Sequence, residues 1–375
     1  MRASFSLSVF GVAAALLLHL GCGDDAGSSG GAGGDAAGGG GAGGEAGDPL
    51  GPWSARPIEL AELTAVWGGL TAQESPTRAY LAGGLTRTGG TASTKVLRVE
   101  QVGSNVTVTT LSEGLADRYC GCAMVDPTRG ELIVLGGRDG SFQETPTAEL
   151  VALGSGAVSA IDPAGAADHP VGCHAVFLPE RDEGYVFGGY AQSGGFSNKV
   201  HRYSPSDRSF TELSIAGALP PARYDGAFRH PKPGGPVYLV GGMGLAGGVK
   251  FYPDVWTFDP ASESWAEIAV AGELPPGRRL PWVAFAGDDS ALVMGFGSDS
   301  PQGQTLLGDL WRLDLASKTW SRPGYTGAAP GLRGFAQWLP GPEGTAGLLS
   351  GGLGETGMVN EQLVLEPPTA SGGWR

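Results

Sequence analysis

The chain has 375 residues, enough for several ordinary domains or one large repetitive one. Glycine supplies 67 of them, about 18% against a usual share of about 7%, while 17% are charged and 41% hydrophobic. The formal charge of −14 argues against general binding to nucleic-acid phosphates, and no apolar run beyond the N-terminus is long enough to span a bilayer. What is left is a turn-rich, all-β body.

In chain order, the first element is an export signal. Arg2 supplies a minimal basic region, and Val9 to Leu18 form an apolar stretch interrupted only by Gly11. That is too short for a transmembrane helix and the right length for a secretory signal. Its exit, Leu18-His19-Leu20-Gly21-Cys22, resembles a bacterial lipobox, in which the cysteine is freed by cleavage and acylated. His19 departs from the leucine usual three places before that cysteine, and an ordinary signal peptide with a chance cysteine is the alternative. Gly23 follows instead of aspartate, so the inner-membrane retention signal of enteric lipoproteins is absent. The expectation is a lipoprotein-type signal peptide over 1–21, lipidation at Cys22, and a place in the bacterial cell envelope. An outer-membrane lipoprotein, facing the periplasm or the outside, fits best.

Residues 22–50 come next. Positions 23–48 hold 13 glycines among Ala, Ser and scattered acids, too little apolar surface to offset the entropy of ordering. A disordered tether with a mean reach of about 28 Å is expected there.

Residues 51–375 are repetitive. Short apolar runs end in glycine pairs at Gly83-Gly84, Gly136-Gly137, Gly188-Gly189, Gly241-Gly242 and Gly351-Gly352, with Gly295-Phe296 in the fifth place. The first glycines are 53, 52, 53, 54 and 56 residues apart, which defines six units. A second signature follows in units three to five, where Tyr203 and Phe210, Phe258 and Trp265, and Leu313 and Trp320 are each separated by seven. Two strands around a polar Asp/Ser/Pro turn account for that spacing.

A double glycine closing one strand, followed by an aromatic residue and a Trp at fixed distances, resembles the kelch repeat. The resemblance covers 54–370, is plain in units three to five, and is reduced to the glycines in units one, two and six. It implies an all-β fold: a six-bladed kelch-type β-propeller of four-stranded antiparallel blades. Closure physics agrees, since each blade has two apolar faces that only neighbours can cover, and a ring leaves none uncovered. Unit six lacks an outermost strand before Pro367, and the alternating segment Ile58–Leu63 is spare. The last blade is therefore expected to be closed by an N-terminal strand.

No nucleophile elbow, zinc-protease helix or phosphate loop occurs, and no metal or cofactor is expected. The informative residues are basic. Arg118, Arg223 and Arg333 stand 18 positions before a first glycine, Arg278 stands 17 before Gly295, and His169 stands 19 before Gly188. Ring symmetry would gather these five at one mouth as an anion site. A structural role is favoured over that anion site, each arginine fixing the start of its blade, with Asp225 neutralising Arg223; the ligand-facing role is the alternative. In kelch proteins arginines at this position receive acidic partner peptides, which is what the resemblance implies for a binding role.

Beyond Cys22 there are three cysteines, so at least one is left over from any pairing among them. Cys122 and Cys173 both lie four residues past the basic position of adjacent units, and equivalent positions point the same way around a ring. Buried thiols are therefore expected. One disulfide is the alternative, and a Cys120–Cys122–Cys173–His174 metal cluster is disfavoured by the same geometry. The functional expectation is a monomeric, membrane-tethered binding protein for an unidentified protein or carbohydrate ligand, without nucleic acid. The alternative is a sugar epimerase or mutarotase acting on an acidic sugar, with Asp225, His169 or His174 as acid–base groups.

Overall fold

The apolar runs that end in glycine pairs become the second strands of blades, because their alternate residues face two neighbouring blades at once. In a computed structural model, residues 51–63, 66–86, 91–162, 168, 170–301, 303 and 305–368 are described. The expected signal peptide, Cys22 and the tether lie outside them. Among the described residues there is no helix, only strands, turns and loops.

Six four-stranded antiparallel sheets follow one another as blades of a propeller. Their innermost strands are Leu70–Ser75, Cys122–Asp126, His174–Leu178, Ala227–Arg229, Trp282–Phe285 and Gln337–Leu339. Each blade then adds a second, third and fourth strand outward, as in blade five with Ala291–Gly295, Leu310–Asp314 and Thr319–Ser321. The seven-residue aromatic spacing is the hairpin of the third and fourth strands. Tyr203 lies opposite Phe210, Phe258 opposite Trp265 and Leu313 opposite Trp320. The paired rings sit 4.8 Å and 5.1 Å apart in the first two cases, worth up to about 1 kcal/mol per pair. Separate apolar cores fill the seams between blades one and two, two and three, three and four, and four and five. One larger cluster joins blades five, six and one.

Blade six is closed from the N-terminus, as expected, but by a different segment. Ser54–Ile58 runs antiparallel to Gln362–Glu366, with Ser54 opposite Glu366 and Ile58 opposite Gln362. The segment after Ile58 instead wraps the Gln362 amide. Leu60 N–H donates to Gln362 Oε1, and Gln362 Nε2 donates to Leu63 O. Its alternating apolar residues serve a turn that buries Leu63, while Trp53, just before the strand, is 1% exposed. Pro57 is tolerated because this is an edge strand, where a missing N–H costs little.

The glycine pairs are fixed by backbone geometry. First glycines have φ between 60° and 68° and second glycines between 91° and 103°. A Cβ on Gly136 would stand 2.4 Å from Pro170 O, and one on Gly83 2.3 Å from Arg118 O. In unit five the pair with these angles is Phe296 (58°) and Gly297 (90°). The phenylalanine thus replaces the first glycine, and the sequence frame of that unit was one residue early. Corrected, Arg278 stands 18 before Phe296, like its counterparts.

Candidate functional site

The start of each innermost strand is built the same way around the ring. Gly68, Cys120, Gly172, Asp225, Leu280 and Phe335 all adopt positive φ between 50° and 64°. Their peptides chain together: Cys120 N–H donates to Gly68 O, Gly172 to Cys120 O, Asp225 to Gly172 O and Leu280 to Asp225 O, at 2.5–3.0 Å. Two positions earlier stand Val66, Arg118, Pro170, Arg223, Arg278 and Arg333. The second residue of each glycine pair donates its N–H to one of their carbonyls in the next blade, at 2.8–3.0 Å in all six seams.

The four arginines are spent on this architecture. Arg118, Arg223 and Arg278 are fully buried and Arg333 is 2% exposed. Arg223 forks onto Asp254 at 2.6 and 2.8 Å and donates to Gly241 O, and Arg278 forks onto Asp309 at 2.6 and 2.9 Å and donates to Phe296 O. Arg118 donates to Gly136 O, Thr147 O and Glu149, and Arg333 to the carbonyl and carboxylate of Glu361. Burial pushes the Asp309 carboxyl up, but the Arg278 fork and the Trp311 indole N–H together hold it below its ordinary value. Burial alone pulls the Arg118 and Arg333 guanidiniums down, which their carboxylates only partly offset. The expected convergence of these side chains on one mouth is thus corrected, and the structural contacts favoured for them are the ones they make. Each guanidinium turns outward into its own blade, where a desolvated fork can be satisfied. None of the four lines the central cavity.

His169 lies outside the described residues, and the ring register gives its place to Pro170. That one-residue shift also decides the cysteines. Cys122 pairs across its blade with Leu135 and His174 with Phe187, so Cys122 and His174 are the equivalent positions, and Cys173 is one residue off. Neighbouring residues on a strand point to opposite faces. Cys122 and Cys173 therefore face each other across the seam and form a disulfide, with Cα atoms 5.3 Å apart. The expectation of buried thiols is overturned, and none of the described cysteines is free. No cluster of three metal-ligating side chains occurs among the described residues.

The acid–base candidates are similarly engaged. Asp225 does not neutralise Arg223 but receives two N–H groups of Arg279 from the next blade, both residues being buried. His174 donates from Nδ1 to Phe187 O at 3.0 Å and accepts at Nε2 from Gly226 N–H at 2.7 Å. Burial pushes its imidazole down to about 4, so the ring is neutral and both nitrogens are in use.

The two ends of the axis differ. At the end where the innermost strands begin, Trp67, Tyr119, Val171, Tyr224 and Phe335 pack into one apolar cluster, each at most 1% exposed. Arg279 lies over Tyr224 and Phe335 at 4.9 and 5.2 Å. This plug seals the mouth that the sequence reading had opened. Behind it lies a cavity of about 420 Å³, lined by the innermost strands and running to the opposite end, where Glu74, Glu180, His230 and Lys232 stand. Sequence reasoning missed both the plug and the one strand-borne arginine of this channel, Arg229. The signal was present: the register aligns Arg229 with Ala72, Met124, Val176, Ala284 and Leu339, apolar in every other blade.

The family comparison fits this geometry. The model of the KLHDC2/KLHL20/DRC7 Kelch-repeats domain matches residues 69–295 and 150–339. Among similar proteins, host cell factor of Drosophila melanogaster is 28% identical over 184 residues, 44% of this chain and 12% of that protein. Kelch domain-containing protein 3 of Homo sapiens is 28% identical over 154 residues, 39% of each chain. Multiple epidermal growth factor-like domains protein 8 of Mus musculus is 31% identical over 166 residues, 40% of this chain and 6% of that protein. The chain spans well under half the length of these relatives. With six blades, glycine-pair seams and a family model covering most of its length, the chain belongs to the kelch-repeat family of β-propellers.

Proposed function

We propose that this propeller binds a macromolecular partner through the loops around its plugged end. The observation that carries this is the placement of exposed apolar side chains. Of the six large hydrophobics exposed among the described residues, Leu219, Leu274 and Leu332 lie on loops and Leu245 and Val249 on a short hairpin at that end, in blades four to six. The blade-four hairpin Met243–Leu245 and Val249–Phe251 touches the neighbouring loops: a Cβ on Gly244 would meet Ala222 O, and one on Gly277 would meet Phe251 O. Leu219, Leu245, Val249 and Leu274 thus belong to adjoining loops, and apolar surface left open on a well-packed scaffold marks a contact site. A protein partner fits this surface better than a glycan, since its exposed side chains Leu219, Leu245, Val249 and Leu274 are aliphatic. The epimerase alternative loses support, because both His174 nitrogens are hydrogen-bonded and Asp225 is held by Arg279.

Pull-down from envelope extracts with the wild type and a Leu245→Ser/Val249→Ser double variant tests the reading. Retention of one set of partners by the wild type and its loss from the folded double variant is the expected result. Identical capture by both would remove this surface. We further propose a lipid anchor at Cys22, which the lipobox-like exit supports; Cys22→Ser should then move the protein from membranes to the soluble fraction.

A further inference from the structure

At the opposite end of the axis, the channel holds a cation with no counter-ion. Arg229 closes the innermost strand of blade four, at a position that is apolar in the other five blades. It lines the cavity, and its guanidinium reaches across to blade six, 5.6 Å from the Trp338 ring. No described residue forms a hydrogen bond or ion pair with it. The other ionisable groups of the channel have partners of their own. Glu180 meets His230 at 3.3 Å and the Gly234 N–H at 3.0 Å, Lys232 meets Asp289 at 2.8 Å, and Glu74 holds Arg78 and Tyr80. Burial pulls the Arg229 guanidinium down to about 10, which leaves it cationic at neutral pH.

Arg229 is only partly exposed, and a confined charge without a partner costs folding free energy that an apolar side chain at the same position would not. We propose that the channel is a binding site for a small monoanionic carboxylate, held by the Arg229 fork against the Trp338 ring. A guanidinium offers five N–H donors, and one aromatic ring near it leaves the edge donors free for a planar, bidentate acceptor. A single guanidinium fork suits a monoanion. A dianion such as phosphate would bring an unmatched charge into the same walls. The cavity of about 420 Å³ lies within the usual range for small-molecule sites and opens away from the apolar loops, so this site is independent of the partner surface.

The test is calorimetric titration and thermal melting of the full chain with acetate, benzoate, inorganic phosphate and sulfate, each against sodium chloride at matched ionic strength. Saturable binding of a monocarboxylate, at least tenfold tighter than phosphate or sulfate, is expected for the wild type. It should weaken at least tenfold in Arg229→Lys, which keeps the charge but loses the fork, and vanish in Arg229→Met. Without added anion, Arg229→Met should melt no lower than the wild type. Absence of saturable carboxylate binding by the wild type overturns the proposal, whatever the variants do. So does equal binding by Arg229→Met, or a preference for phosphate or sulfate, or destabilisation of the anion-free Arg229→Met protein, which would show the guanidinium to be a structural prop.

Discussion

Blades five and six sit side by side and are held together differently. Blade five is built from four successive strands within residues 282–321, and its Arg278–Asp309 fork is buried, with Asp309 12% exposed and also bound by the Trp311 indole. Blade six takes its outer strand from Ser54–Ile58, whose hydrogen-bonded partner Glu366 is 312 residues away from Ser54. Its arginine, Arg333, meets a Glu361 that is 51% exposed, through one guanidinium nitrogen and one carbonyl contact. Blade five therefore coheres by local contacts, whereas blade six coheres only after the ring has brought the chain ends together. Closing so long a loop carries an entropic cost that local hairpins avoid. The hydrogen bonds from the second residue of each glycine pair are the same in both blades, at 3.0 Å, so the difference lies mainly in side chains and connectivity.

The largest effect should come from breaking that long-range closure. Deleting residues 51–63 removes the edge strand, the buried Trp53 and Leu63, and both amide contacts of Gln362. Truncating one buried tryptophan typically costs about 3–5 kcal/mol, so the deletion should cost more than about 5 kcal/mol and expose an unpaired edge. Urea unfolding and light scattering should show a large loss of stability or outright aggregation. Unchanged unfolding would mean that blade six holds without its N-terminal strand.

The arginines test the same contrast more finely. Arg278→Ala leaves Asp309 charged, desolvated and short of its fork, a change that typically costs about 3–5 kcal/mol. Arg333→Ala leaves a half-exposed Glu361 that water can solvate, so about 1 kcal/mol is expected from the pair, with some packing loss besides. Equal destabilisation by the two would erase the distinction between the blades.

Much of this was legible in the sequence because repetition multiplies weak signals. Five glycine pairs and a sixth glycine site at nearly constant spacing, with three residue pairs at seven, suffice for the blades and their hairpins, and the strand missing from unit six for the closure from the N-terminus. What failed was register by single residues. In unit three, taking His169 in place of Pro170 made Cys122 and Cys173 look equivalent, when one of them faces each way across a shared seam. In unit five, a phenylalanine at positive φ hid the true pair, because a bulky residue there breaks the usual preference for glycine. The arginines were legible, with a structural role favoured for them, but their partners were not, since Asp254 and Asp309 lie 31 residues onward and are joined to them only by the fold. Arg229 was passed over because its meaning comes from the five apolar residues it aligns with, not from its own neighbours.

His174 extends the contrast to pH. It bridges blade three to blade four through Nε2 and the Gly226 N–H, a local seam contact like those that favour blade five. Its equivalent in blade six is Gln337, whose amide donates back to Phe335 O of the same blade and does not titrate. Because burial holds the folded imidazole near 4 against an ordinary 6.5, the unfolded chain binds a proton first as pH falls. The stability tied to this residue is therefore whole above about pH 6.5 and is lost progressively towards pH 4. At about 1.4 kcal/mol per pKa unit, the loss reaches roughly 3 kcal/mol. Carboxylates held below their ordinary values, Asp309 among them, also weaken the fold in acid, so the wild-type slope alone decides nothing. The variant His174→Gln supplies the same donor and acceptor without a titrating group, turning the blade-three position into the blade-six type. Urea unfolding from pH 7 to pH 4.5 should show a steeper loss for the wild type than for the variant, with the gap opening between pH 6.5 and 4.5. Parallel curves would mean that His174 is protonated in the folded protein without loss of the seam, and the bridge between blades three and four would then have to lie elsewhere.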